Sequence, residues 1–219
     1  MKRCQMIDFL VRAAIPNVTE KDRLPRKEGI IENSNLLWDA IFRAHRDVLT
    51  GRRYVKAYSE KHEILSHTKN GEAVYGPNLL AQALYFAIKE EKEQLCSTSL
   101  VEKLTDSANE DSDSLFGCIQ KLVNMTLKYL FVLQEFGYLE KFHYDIPHID
   151  EISCDCPIDS IILKSLDRAD IKWTSLSSDD YEEVQGLIDK DEQTKTRLEY
   201  DFKNWSSFQE CPWSTASEC

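Results

Sequence analysis

The chain has 219 residues, 42% of them hydrophobic and 30% charged, with a net charge of −11, enough length for one large domain, or two small ones sharing a core, to bury substantial apolar surface. No apolar run approaches the roughly 20 residues that a membrane-spanning helix needs, and the negative balance argues against a simple nucleic-acid-coating protein, because phosphate binding relies on Lys and Arg. The charge is uneven: residues 1–70 carry 14 Lys+Arg against 9 Asp+Glu, and residues 71–219 carry 13 against 29, which leaves a local basic face near the N-terminus for DNA.

With only 7 Gly and 6 Pro and apolar residues recurring at three- and four-residue spacing, the sequence predicts an all-α fold. Lys2 and Arg3 precede a short apolar stretch interrupted by Asp8 and Arg12, which reads as an amphipathic helix over 3–14 and not as a signal peptide. A cytoplasmic location is expected. Pro16, Pro25 and Gly29 make 17–33 a loop, and helices follow over 35–49 and 53–67. Arg43, Arg46, Arg52, Arg53 and Lys56 lie over this helix–turn–helix as the candidate phosphate contacts, a solvated helix face being the plainer alternative. Gly71, Gly76 and Pro77 make a loop of 69–77, before helices over 77–94 and 98–105. The acidic stretch 106–113 reads as a surface loop between an N-terminal helical part, 1–106, and a C-terminal part, 107–219. The apolar helices on its two sides need each other as packing partners, so a single two-lobed domain is expected. Further helices are predicted over 113–135, 159–168, 179–189 and 193–204.

Seven cysteines, an odd number in a chain without an export signal, fit reduced thiols. Cys154 and Cys156 have one residue between them, where zinc sites use two to four and a second pair, which Cys211 and Cys219 supply poorly. Four closely spaced cysteines for an iron–sulfur loop are absent. His62 and His67, with Glu63, are five apart and argue little for a metal-dependent nuclease. No metal and no cofactor are expected.

The run Leu115 to Leu133 is apolar over most of its circumference, as in a central buried helix. Lys121, Asn124 and Lys128 fall within about 60° of one another on it, a narrow polar stripe. Such a stripe either reaches solvent, with the lysines snorkelling outward, or holds them partly desolvated. Desolvation favours a neutral amine, the form that acts as a nucleophile. Further on, Pro157-Ile158-Asp159 precedes a short apolar helix. Asp159 suits an ordinary N-cap. A carboxylate at a helix N-terminus also stays ionised and can polarise a water or stabilise a developing cation.

Together these elements resemble the helix-hairpin-helix superfamily of DNA glycosylases, nearest to its archaeal 8-oxoguanine DNA glycosylase branch. The resemblance covers roughly residues 112–165: a glycine-bearing turn at Gly117, then Gln120-Lys121 opening a long apolar helix, then Pro157-Ile158-Asp159 opening the next. The family's two-glycine hairpin with proline is reduced here to Leu115-Phe116-Gly117-Cys118-Ile119, a degenerate hairpin with one glycine and no proline. The resemblance implies a two-lobed helical glycosylase-like domain with Lys121 and Asp159 catalytic and Gly117 at the DNA backbone. It also implies that the enzyme flips a modified base out of duplex DNA and excises it, leaving an abasic site. Gln120, Asn124, Lys128, Trp38 and Trp173 are the candidate base-pocket residues. Trp205 and Trp213 are further aromatic candidates, each tryptophan being more often core. Phe136 to Ser153, with His143 and His148, would be an inserted loop.

Asp159 would stabilise oxocarbenium character, and a neutral Lys121 would attack the sugar to form a Schiff base with AP lyase activity; a charged Lys121 would leave base release alone. An oxidised guanine is the substrate the resemblance implies. A glucosylated hydroxymethylcytosine of phage DNA, removed in antiviral defence, stands beside it. The expected partner is duplex DNA carrying the modified base, bound by a monomer. A non-catalytic helical interaction or regulatory protein is the alternative that the net charge favours. Catalysis requires Lys121 and Asp159 within roughly 5–8 Å of each other and reachable by solvent.

Overall fold

Leu36, Leu37, Ala40, Ile41, Ala44 and Val48 recur at steps of three and four, and they form the buried face of α1 (Leu36–Leu49). The computed structural model describes residues 36–49, 68–69, 72–73, 79–107, 112–141 and 146–207. The predicted helices over 3–14 and 53–67 and the loop over 17–33 lie outside them. The same periodicity builds α2 (Leu79–Glu90), which buries Leu80, Ala81, Leu84 and Ile88. It also builds α3 (Ser97–Ser107), which buries Leu100, Val101 and Leu104.

The axis of the molecule is α4 (Ser112–Glu135). From Leu115 to Leu133 its side chains are buried at every position except Met125, which is half-buried, because neighbours cover it on all sides. It packs against α1, α2, α3, the short α5 (Tyr138–Lys141) and a 3-10 turn at Trp173–Ser175. Gly137, with φ at +68°, ends this rod in the left-handed conformation and donates to the Gln134 carbonyl at 2.8 Å. The chain then returns along α4 in an extended run and enters α6 (Ser160–Ser165), α7 (Ser178–Ile188) and α8 (Arg197–Ser207). A Ser177/Asp180 capping box opens α7. Buried apolar residues from Leu36 to Phe202 form one cluster.

The described residues are mostly helical, as the sequence predicts, with small differences. Helix α2 ends at Glu90 instead of 94. Gln94–Leu95 (β3) pairs in parallel with His148–Ile149 (β4), which buries Leu95 and Ile149. Across the start of the predicted loop 69–77 lies one antiparallel pair of two-residue strands, Thr68–Lys69 (β1) with Glu72–Ala73 (β2). Helix α6 stops at Ser165, three residues early, because Asp167 turns to φ 55° and Arg168 N–H closes onto the Leu163 carbonyl at 2.8 Å. Helix α8 starts only at Arg197, where Thr196 Oγ1 accepts from Glu199 N–H at 3.0 Å. No helix among the described residues is long and apolar enough to cross a membrane.

Because α4 is covered on every side, truncating it leaves a cavity that few neighbours can collapse into. Leu127→Ala, at a fully buried position, is expected to cost about 2–5 kcal/mol. Urea unfolding would show this as a lower midpoint with an unchanged slope.

Candidate active site

Ile149, at the end of β4, and residues Cys154 to Asp159, past a 3-10 turn at Glu151–Ser153, run extended and largely buried, and beyond the β3–β4 pair they have no neighbouring strand among the described residues. Their backbone groups need partners, since a buried unpaired amide is costly. Three glutamines supply them. Gln134 Oε1 accepts from Ile149 N–H at 2.9 Å while its Nε2 donates to Ile149 O at 2.8 Å. Gln185 of α7 does the same for Cys156, at 3.4 and 2.7 Å. Gln120 does it for Ile158, at 3.1 and 2.8 Å. Ser97 Oγ, at the start of α3, accepts from Asp155 N–H at 2.9 Å. The segment is thus a strand whose partners are side chains.

This segment delivers Asp159 to α4. Asp159 is extended (φ −138°, ψ −173°) and caps α6, its Oδ1 accepting from Ile161 N–H at 2.8 Å and Ile162 N–H at 3.2 Å. Its other oxygen, Oδ2, stands 3.6 Å from Lys121 Nζ. Two residues 38 apart in sequence therefore meet, one carboxylate oxygen holding the helix and the other facing the amine. Trp173 lies over the same ammonium, its ring centroid 4.4 Å from Nζ. The Lys121 side chain is 9% exposed and that of Asp159 24%, so solvent reaches the pair from the Asp159 side. Gly117 brings Trp173 in: a methyl group there would stand 2.0 Å from the Trp173 carbonyl oxygen.

Several residues predicted to touch DNA or a base are placed otherwise. Gly117 lies inside α4 and is buried under the Trp173 carbonyl, so it makes no turn and is covered from any DNA backbone. Gln120, Asn124 and Lys128 do not reach the surface. All three are 0% exposed, because the covered rod α4 turns their stripe inward. Gln120 holds Ile158, and Asn124 Nδ2 donates to Tyr181 Oη at 2.8 Å. Among the described base-pocket candidates, Trp173 alone joins Lys121 and Asp159. Arg43 on α1 pairs with Asp47 at 2.9 Å, and Asp47 accepts from Tyr129 Oη of α4 at 2.8 Å, so this guanidinium is tied to the central helix. The side chains of Trp38 and Arg46, and Arg52, Arg53, Lys56, His62, Glu63, His67, His143, Cys211, Trp213 and Cys219, lie outside the described residues.

Lys128 finds a carboxylate the sequence reading missed. Its ammonium pairs with Asp201 of α8, both groups almost completely buried, with Phe202 4.4 Å and Trp205 5.5 Å from Nζ. Burial pushes the Asp201 carboxyl upward, opposed by Lys128. Tyr200-Asp201-Phe202, one acid flanked by aromatics, was the available signal for a partner. A second polar group also escaped: Tyr181 Oη donates to Asp155 Oδ2 at 2.8 Å, and Arg197 bridges Asp155 and Asp189, each at 2.6 Å. A cavity of about 210 Å³ beside that group is lined by Phe116, Asp155, Tyr181 and Arg197, with neither Lys121 nor Asp159 in its wall. Cys96, Cys118, Cys154 and Cys156 are free thiols. Burial pushes Cys118 up to about 11 against the pull of Lys121, and raises Cys156 well above the ordinary thiol range. A thiol held neutral is a poor nucleophile.

Gly117→Ala is expected to push the Trp173 turn off α4, at a cost of about 1–3 kcal/mol. NMR of lysine-labelled protein would show the Lys121 methylene protons losing the shift imposed by the Trp173 ring. Lys128→Met strands the buried Asp201 carboxyl and is expected to cost about 3–5 kcal/mol, most of it recovered in Lys128→Met with Asp201→Leu. Urea unfolding of the two variants checks this.

Comparison of the chain with protein-family models, with curated proteins and with solved structures found no match.

Proposed function

We propose that the protein is a DNA glycosylase that excises a modified base, with Lys121 and Asp159 as its catalytic residues. The observation that carries this reading is the approach of Lys121 Nζ to within 3.6 Å of Asp159 Oδ2. An amine and a carboxylate brought together at a solvent-reached edge of an apolar interior are the pair that N-glycosidic cleavage needs. Their order, and the Pro157-Ile158-Asp159 entry to α6, support the likeness to helix-hairpin-helix glycosylases. In this reading the two-lobed glycosylase architecture is retained without a glycine turn, since Gly117 is helical.

The chemistry follows from the two oxygens of Asp159. Oδ1 is occupied by the α6 amides, which fixes the carboxylate plane. Oδ2 faces the amine as a carboxylate, and Lys121 reacts as the neutral amine once its ammonium has lost a proton to water. The freed amine attacks C1′ of the flipped nucleotide, an N–C1′ bond forming as the bond to the base breaks, and the attacking nitrogen then gives up a proton that passes through Oδ2 to the departing base, leaving Asp159 ionised. Sugar-ring opening yields a Schiff base, and loss of a C2′ proton then expels the 3′ phosphate. Through the first step the Asp159 charge stabilises the cationic sugar. Should the amine keep its proton, water replaces it as nucleophile and only an abasic site results. The substrate is a duplex with an oxidised guanine or a glucosylated hydroxymethylcytosine, the second placing the enzyme in antiviral defence.

A non-catalytic interaction protein is the second reading. It is favoured by the 9% exposure of the Lys121 side chain and the net charge of −11, since the pair then serves only to join α4 to α6.

Borohydride trapping on duplexes carrying either base separates them. The unmodified chain is expected to give a covalent adduct that Lys121→Gln abolishes. Asp159→Asn keeps an equally good N-cap, so its expected loss of at least about 100-fold in rate reads the charge and not the fold. Abasic sites that depend on Asp159, without an adduct, mean base release alone. Neither product on any substrate overturns the glycosylase reading.

A further inference from the structure

Lys121 and Asp159 meet only if the extended segment that delivers Asp159 sits at one height along α4. An extended chain rises about 3.3 Å per residue, so a slip of one residue is nearly as large as the whole 3.6 Å separation of Nζ from Oδ2. Gln120, the neighbour of Lys121 in sequence, sets this height. Its amide takes both backbone groups of Ile158, the residue before Asp159, and its Nε2 also donates to the Gly117 carbonyl at 3.0 Å. This is the two-point pairing of a β-strand neighbour, made by a side chain. Gln120 is 0% exposed, and both amide atoms are engaged.

We propose that Gln120 is a positioning residue for the Lys121 reaction: through Ile158 it holds Asp159 Oδ2 against the amine, and it touches no substrate. The proposal rests on the glycosylase reading for its kinetics, not for its geometry. Gln185 provides a matched comparison, because it makes the same two bonds to Cys156, three residues before Asp159, and does not reach the residue that carries the carboxylate. A displacement of about 1 Å at a reacting group costs on the order of 100-fold in rate, whereas DNA affinity has no reason to change.

The test uses the full chain with Gln120→Met, Gln120→Glu and Gln185→Met. Amide hydrogen exchange at Ile161 and Ile162, the two groups Asp159 caps, reports the carboxylate's position without any substrate. Single-turnover excision and DNA affinity report its consequence. Gln120→Met is expected to speed exchange at those two amides about tenfold beyond the rest of the core and to slow excision about 100-fold at unchanged affinity. Gln185→Met is expected to leave the two amides no faster than the rest of the core. Gln120→Glu, which retains the acceptor for Ile158 N–H, falls between, and it carries the test if the methionine variant does not fold. Ordinary exchange at Ile161 and Ile162 in a folded Gln120 variant, or excision at the unmodified rate, overturns the proposal. If the unmodified chain excises nothing, the glycosylase reading falls, and the exchange measurement alone decides whether Gln120 positions Asp159.

Discussion

An extended segment buried without a sheet must still satisfy its backbone, and the rest of this molecule is arranged around that requirement. At Ile149 and from Cys154 to Asp159 the side-chain partners come from three helices: Gln120 and Gln134 from α4, Ser97 from α3 and Gln185 from α7. Each glutamine is long enough to leave its helix and flat enough to offer one donor and one acceptor side by side. Because these amides are spaced along helices whose apolar faces are already locked together, the segment has one register. The place where Asp159 meets α4 follows from it.

The two buried lysines of α4 are handled by the same logic with different outcomes. Lys128 is sealed against Asp201 beneath Phe202 and Trp205, a pair whose removal from water must be offset by close contact. Lys121, two turns earlier, is left with a carboxylate that is a quarter exposed and an aromatic ring over its charge. One ion pair is closed and the other opens to solvent. That asymmetry is why the functional proposal attaches to Lys121, and why Lys128 is read as joining α4 to α8.

Gly117 illustrates how a residue type can be read correctly as special and wrongly as to cause. A lone glycine before a polar-striped helix suggests a turn, since glycine tolerates left-handed backbone. Here it is helical, and what matters is the missing side chain, which lets the Trp173 carbonyl approach α4. Left-handed backbone is used instead at Gly137, where the helix ends.

Periodicity alone determined most of the described helices, because an apolar face repeating every three or four residues has one economical conformation. It also marked Lys121 and Asp159, since a lysine inside a greasy helix and an aspartate before a short one stand out locally. What it did not determine was direction: Gln120, Asn124 and Lys128 share a stripe with Lys121, and no local rule says that the stripe faces inward to the segment at 156–158 and to Asp201. Nor did spacing reveal that Gln134 and Gln185 serve as strand partners, because glutamine on a helix is as common on a solvated face. Those assignments depend on which element lies across from each residue, and only the tertiary packing around α4 decides that.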